Sequence, residues 1–309
     1  MLLIERALKC VVFIGKVSDP DGFSPTFAPY GTGFLFSVFY EDTRFDYIVT
    51  CHHIINLFEG DKVWVRINLK DGGSNTIGVS KKSWISDHDK DISVLSQPIG
   101  ELLDVTRIVE RDIITKEVLN KFEIRPGELT FLVGLFTSHY DTTHNVPIVR
   151  MGNIAALPKE PILIDVGYVK GYLVETRSIG GLSGSPVFLN ISSWGSLVEI
   201  KDYHVECMFL GMMLGRLNTT DENDVVGGDS ISDAINTGIG VVIPAEVIFN
   251  MLNQSDFIAQ REDTVKELKK KTHYRPCAAT PKPDNPQHKE DFNSLLTAAV
   301  KKKPPADET

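Results

Sequence analysis

The residues whose types suit chemistry lie far apart in this chain. The stretch SIGGLSGSPVF (178–188) sets Ser183 among glycines and runs straight into an apolar PVF. A serine hydroxyl is a weak nucleophile until a base takes its proton, and the tetrahedral intermediate of acyl transfer needs N–H donors for its oxyanion. The turn suits the second demand. Glycine at 181 permits a sharp bend in which the N–H groups of Gly181 and Ser183 converge on one oxygen, and Gly184 relieves crowding just after the serine. The same composition also serves a purely structural turn, so the question is where a base could come from. The stretch nearly meets the G-x-S-x-G pattern, but its last position is Ser185, and that pattern belongs to a fold with acid and histidine after the serine. Downstream only His204, His273 and His288 remain. Upstream, YIVTCHHII (47–55) reads as a strand ending in histidines, and DHDKDISVL (87–95) as an acidic loop entering a strand at Asp91. The order is therefore His, Asp, Ser.

Groups so distant in sequence need a rigid frame. Most of residues 8–248 reads as short strands broken by Gly, Pro, Asn and Asp, the pattern of an all-β barrel or sandwich. KVWVRINL (62–69) puts Val63, Val65, Ile67 and Leu69 on one face and Arg66 and Asn68 on the other, at the period of a half-buried strand. FLFSVF (34–39), DYIVT (46–50), DISVL (91–95), LTFLVGLF (129–136), PILIDVGYV (161–169), CMFLGMML (207–214) and GIGVVI (238–243) are further strands. Residues 102–122 mix charged and apolar positions with few breakers and read as a partly helical connector between two β halves. PAEVIFNMLNQ (244–254) places Val247, Ile248, Met251 and Leu252 on one helical side with Pro244 near the first position, so a helix closes the β region.

Composition narrows the function classes. The 309 residues are 42% hydrophobic and 24% charged, ordinary for a globular chain. A net charge of −9 argues against nucleic acid, which needs clustered Lys and Arg to release counterions. Cys10, Cys51, Cys207 and Cys277 have no paired spacing that would indicate zinc or a redox couple. Charges interrupt the apolar start MLLIERALKCVVFIGKV, no cleavage site follows it, and no run reaches the length of a membrane span, so a cytoplasmic location without membrane contact is the expectation. From about residue 255 the composition becomes charged and proline-rich, and residues 255–309 are expected as a flexible tail. Within it EDFNSLLTAAVKKK (290–303) can form a helical turn or two, either frayed in solvent or docking a protein partner.

Four segments in fixed order give the chain a family resemblance. GTGFLF (31–36), VTCHHII (49–55), DISVL (91–95) and GLSGSPVF (181–188) resemble the Gly-x-Gly strand, the Thr-x-x-His strand end, the Asp-Ile-Ala-Leu strand and the serine turn of chymotrypsin-fold (trypsin-like) serine peptidases. VRMGNIAAL (149–157) and GIGVVIPAEVI (238–248) are similar to the HtrA-like branch, and the likeness to HtrA-like and glutamyl-endopeptidase-like members covers about residues 8–252. It implies two six-stranded antiparallel β-barrels with a C-terminal helix: a peptidase domain 1–254 made of a first barrel at about 8–100, a connector at 101–124 and a second barrel at 125–254. It also implies His53 as general base, three after Thr50, with Asp91 orienting it, Ser183 attacking, and Gly181 and Ser183 lending oxyanion N–H groups. Leu214, Gly215 and Arg216, in LGMMLGR (210–216), would pair with the backbone of a peptide or protein substrate. No cofactor and no metal are implied. Arg177 and Arg216 would favour an acidic side chain beside the cleaved bond if Arg177 reaches the specificity pocket; on an exposed loop it would not. The chain departs from the family at Leu182, where Asp or Asn is usual, and no PDZ-sized segment follows. A metal site at Cys51, His52, His53 and Cys207 lacks ligand-like spacing, and adjacent histidines on a strand point to opposite faces; Asp87 and Asp89 read as solvated loop charges and not as a calcium site. Three readings remain open: an active serine endopeptidase, a silent domain that binds peptides, and a peptidase held off until a partner docks.

Overall fold

Long apolar strands dominate the first half of the molecule, a computed structural model that describes residues 3–20, 25–164, 167–176, 181–191, 199–200, 203–204, 207–219 and 235–273. After a short helix α1 (Leu3–Lys9) come β1 (Val11–Ser18), β2 (Thr26–Tyr40), β3 (Thr43–Cys51), helix α2 (His52–Asn56), β4 (Lys62–Asn68), β5 (Ser74–Ser80), β6 (Trp84–Asp87) and β7 (Ile92–Ser96). They pair antiparallel in the order β5-β4-β1-β2-β3-β7-β6, and β8 (Ile108–Val109) adds parallel to β2. Burial accounts for this order. β1 buries five consecutive residues and β3 six, as strands covered on both faces do, whereas β5 mixes half-buried and exposed positions as an edge does.

The expected closed barrel is, in this half, a curled sheet. A 3-10 turn at Lys81–Ser83 carries the chain from one edge, β5, directly into the other, β6, and among the described residues no ladder joins them. So short a turn rounds a corner between the edges instead of folding β6 back on β5 as a hairpin. The second half does close. β9 (Leu129–Gly134), β10 (Ile148–Ala156), β13 (Tyr172–Glu175), β14 (Pro186–Asn190), β17 (Cys207–Thr219) and β18 (Ile235–Pro244) form a barrel in the order β10-β13-β18-β17-β14-β9. PILIDVGYV is not one strand but the hairpin β11 (Ile162–Ile164) and β12 (Gly167–Val169), and a second small hairpin pairs β15 (Glu199–Ile200) with β16 (Tyr203–His204).

The connector is partly helical, as its mixed pattern predicts. β8 leads into a 3-10 turn at Glu110–Asp112 and helix α3 (Lys116–Lys121), whose N-cap Thr115 accepts the Val118 N–H at 3.2 Å. On the way, the Ile114 N–H bonds the Phe209 carbonyl at 2.9 Å and ties the connector to β17. An aromatic spine joins the two β halves: Phe34 meets Phe209 at 5.2 Å, Phe209 meets Phe188 at 5.9 Å, and Phe188 stacks on Phe131 at 5.2 Å. Helix α4 (Ala245–Leu252) buries Ala245, Ile248, Met251 and Leu252 behind its N-cap Pro244.

Two expectations fail here for identifiable reasons. Arg66 does not face solvent. It is 1% exposed, its Nε bonds Asn145 Oδ1 at 2.8 Å, and its remaining nitrogens bond the carbonyls of Asp141, Thr142 and His144 at 2.8 to 3.1 Å. The β9–β10 loop covers this face of β4, and the guanidinium donates into it, over the Phe27 ring at 4.6 Å. The flexible tail does not begin at 255 either, because Ser255–His273 forms helix α5. Phe257, Arg261 and Val265 are buried at four-residue intervals, and Phe257 packs edge-on against Tyr47 at 5.7 Å. The segment 290–303 lies outside the described residues. No helix among the described residues is long and apolar enough to cross a membrane.

Candidate active site

Asp91 organises the histidine side of the site. The chain leaves β3 at Cys51 in extended conformation and enters α2 with no side-chain cap of its own. The first N–H groups of a helix have no partner within it, and here Asp91 takes two of them. Its carbonyl accepts the His52 N–H at 3.0 Å, and its Oδ1 accepts the His53 N–H at 2.7 Å. The other oxygen, Oδ2, stands 2.5 Å from His53 Nδ1. That contact places the ring proton on Nδ1 and leaves the lone pair of Nε2 free to accept another. Asp91 reaches this position with φ of 52°, at the exit of the turn where its N–H bonds the His88 carbonyl at 3.3 Å. The aspartate is 3% exposed and the histidine 35%, so a buried carboxylate backs a ring that solvent and ligands can approach.

The serine turn is fixed on every side. Leu182 carbonyl accepts the Ser185 N–H at 3.0 Å, Ser183 carbonyl accepts the Thr32 N–H at 3.1 Å, and Gly184 N–H bonds the Met213 carbonyl at 2.8 Å. Gly181 and Gly184 have φ of 93° and 82°, in the region glycine tolerates. At Gly184 a side chain is excluded outright, since a Cβ would lie 2.0 Å from the Thr32 carbonyl oxygen. The same Met213 carbonyl that holds Gly184 accepts the Cys51 thiol at 3.4 Å, two residues before His53, so the turn and the histidine meet on one atom of β17. Among the described residues, no acceptor is bonded to the N–H of Gly181 or of Ser183, and no hydrogen bond joins Ser183 to the His53 ring. A catalytic contact of this kind is often long without substrate and tightens in the complex.

Leu214, Gly215 and Arg216 follow on β17. The β14 ladder ends at Met212, while β18 pairs with β17 through Thr219, so along Leu214–Arg216 one backbone edge has no partner strand among the described residues. Leu214 is buried, and a Cβ on Gly215 would meet nothing within 4 Å. Met212 and Met213 are core residues. Arg177 lies outside the described residues.

Burial, and then the Asp91 carboxylate, push the Cys51 thiol well above its ordinary value, so it stays protonated. Cys51 Sγ, a His53 ring nitrogen and an Asp91 oxygen lie within 4.8 Å of one another. They do not fit a metal: two ligands of one zinc ion stand about 3 Å apart or more, whereas His53 Nδ1 and Asp91 Oδ2 are 2.5 Å apart. Asp87 pairs with Lys90 and accepts its N–H at 3.0 Å. His52 has other partners: its ring lies tilted against that of His88 with centroids 4.0 Å apart, its Nδ1 is 3.3 Å from Ser93 Oγ, and its Nε2 meets Asn56 at 2.8 Å. Thr32 and Thr50 are contacts that sequence reasoning missed. Thr50 Oγ1 donates to the Thr32 carbonyl at 2.7 Å, and the threonine's place inside GTGFLF is the only sign of it in the sequence.

No protein-family profile matches this chain, and no curated protein does. Solved structures do. The MamO protease domain from Magnetospirillum magneticum is similar with a TM-score of 0.50 and 14% identity, over 82% of this chain and 100% of that one. Deg5 is similar at a TM-score of 0.46 and 15% identity, over 80% and 89% of the two chains. Rv3671c from M. tuberculosis H37Rv matches at a TM-score of 0.41 and 15% identity, over 80% and 86%. The fold is a chymotrypsin-like double β structure, one barrel closed and the other curled.

Proposed function

We propose that the protein is a serine endopeptidase that cleaves peptide bonds through an acyl-enzyme. The observation that carries this reading is the 2.5 Å contact with the buried Asp91 made by Nδ1 of His53, two residues after Cys51, whose thiol shares the Met213 carbonyl with the serine turn. His53 Nε2 takes the Ser183 proton as Ser183 Oγ bonds the scissile carbonyl carbon. The N–H groups of Gly181 and Ser183 receive the oxyanion, a contribution for which each donor is worth about 10²–10³ in rate. His53 then returns its proton to the leaving amine, and Asp91 stabilises the imidazolium between the two transfers. Water repeats the sequence to release the acid. An extended substrate adds to the open edge of β17 at Leu214–Arg216.

The absence of a Ser183–His53 hydrogen bond among the described residues favours a second reading, in which the same machinery waits for a partner before it closes. Both are tested by incubating the full chain with an unfolded protein and sequencing the new termini by mass spectrometry. New termini with the wild type and none with Ser183→Ala support the first reading; cleavage seen only after lysate is added supports the second. Cleavage that persists in Ser183→Ala, or that neither condition produces, rejects the assignment.

A further inference from the structure

Every polar group of Thr32 is committed at the seam between the two β halves, at 0% exposure. Its N–H donates to the Ser183 carbonyl at 3.1 Å, and its carbonyl accepts from Thr50 Oγ1 at 2.7 Å. The hydroxyl does more than fill space: it accepts the Leu135 N–H at 2.9 Å and donates to the Gly181 carbonyl at 2.7 Å. One strand residue of the first sheet therefore touches both ends of the segment that carries the serine.

The consequence follows from which peptide plane each bond fixes. The Gly181 carbonyl belongs to the plane before Leu182 and the Ser183 carbonyl to the plane before Gly184; Thr32 holds both. Between them lies the plane that carries the Ser183 N–H, and its carbonyl, that of Leu182, is tied back to the Ser185 N–H at 3.0 Å. With its neighbours pinned, this middle plane has no room to flip. We propose that Thr32 is a positioning residue whose hydroxyl sets the orientation of the oxyanion donor at Ser183. The inference rests on the reading of Ser183 as nucleophile only for its catalytic consequence; the conformational part stands on the bonds alone. Thr32→Val keeps the shape but leaves the Leu135 N–H and the Gly181 carbonyl unpaired in a dry site, the costly way to lose a hydrogen bond. Thr32→Ser keeps the hydroxyl and loses only a methyl group.

The test compares the full-length wild type, Thr32→Val and Thr32→Ser by two measurements. Hydrogen–deuterium exchange of peptides covering 181–188 reads the turn, with the β3 peptide 43–51 as the internal control for global opening. The rate of covalent labelling by a fluorophosphonate reads its chemistry. We expect Thr32→Val to raise exchange in the turn at least about tenfold with the β3 peptide unchanged, to slow labelling about 10²-fold, in line with loss of one oxyanion donor, and Thr32→Ser to restore both. Wild-type exchange in Thr32→Val, or failure of Thr32→Ser to restore the turn, overturns the inference. If Thr32→Val does not fold, Thr32→Cys supplies a weaker donor of similar size: turn exchange between that of the wild type and full exposure supports the hydroxyl's role, and wild-type exchange overturns it. A wild type that is never labelled defeats the endopeptidase reading, while the exchange measurement still decides the role of Thr32.

Discussion

Asp91 holds a left-handed backbone, caps a helix and orients an imidazole at once. These roles separate by substitution. Asn tolerates positive φ as Asp does and can still accept the His53 N–H, so Asp91→Asn should leave the melting temperature within a few degrees of wild type. It cannot stabilise an imidazolium, and labelling at Ser183 should fall about 10⁴-fold, the scale known for this substitution in a Ser-His-Asp triad. Parallel loss of melting temperature and labelling would show the aspartate to be structural. His52 makes the complementary prediction. Burial holds its ring below the ordinary imidazole range and the neighbouring His88 adds to the effect, so the unfolded chain binds a proton there more readily than the folded one. Its contribution to stability is complete above a pH of about 6.5 and is lost as the pH falls below that. Melting temperatures from pH 8 to 5 should decline less steeply in His52→Gln than in the wild type; identical slopes would contradict this.

Among the elements, α5 makes the sharpest prediction. If Phe257 is core, Phe257→Ala should cost about 3–5 kcal/mol in denaturant unfolding, whereas a flexible tail would leave stability unchanged. The helix was not legible because Arg261 occupies the apolar stripe between Phe257 and Val265, and charge-rich composition outweighed a three-position pattern. Arg66 misled in the same way. Period-two alternation in β4 marks Val63, Val65 and Ile67 correctly, but it cannot reveal that a loop some 75 to 79 residues away covers the other face and receives the guanidinium. Where the pattern was local, the sequence was readable: β3, β7, β9, β17 and α4 all form where their apolar runs stand.

At the scale of the whole molecule, the two β halves meet through backbone bonds between segments that the chain keeps remote. His53 and Asp91 come from the curled sheet, Ser183 from the closed barrel, and the seam is made by Thr32, Met213 and the aromatic spine. The His–Asp pair was legible because each residue stands just outside a readable strand, His53 two residues past the end of β3 and Asp91 one before β7. The serine's hold on the seam was not, because it depends on backbone carbonyls and on a threonine hydroxyl. In the proposed reaction Ser183 gives its proton to His53. Intact-mass analysis of the folded chain after fluorophosphonate treatment tests it most directly: we expect one adduct, mapped to Ser183, absent in Ser183→Ala and in His53→Ala and retained in His52→Ala. An adduct on another residue, or labelling that survives undiminished in His53→Ala, would contradict it.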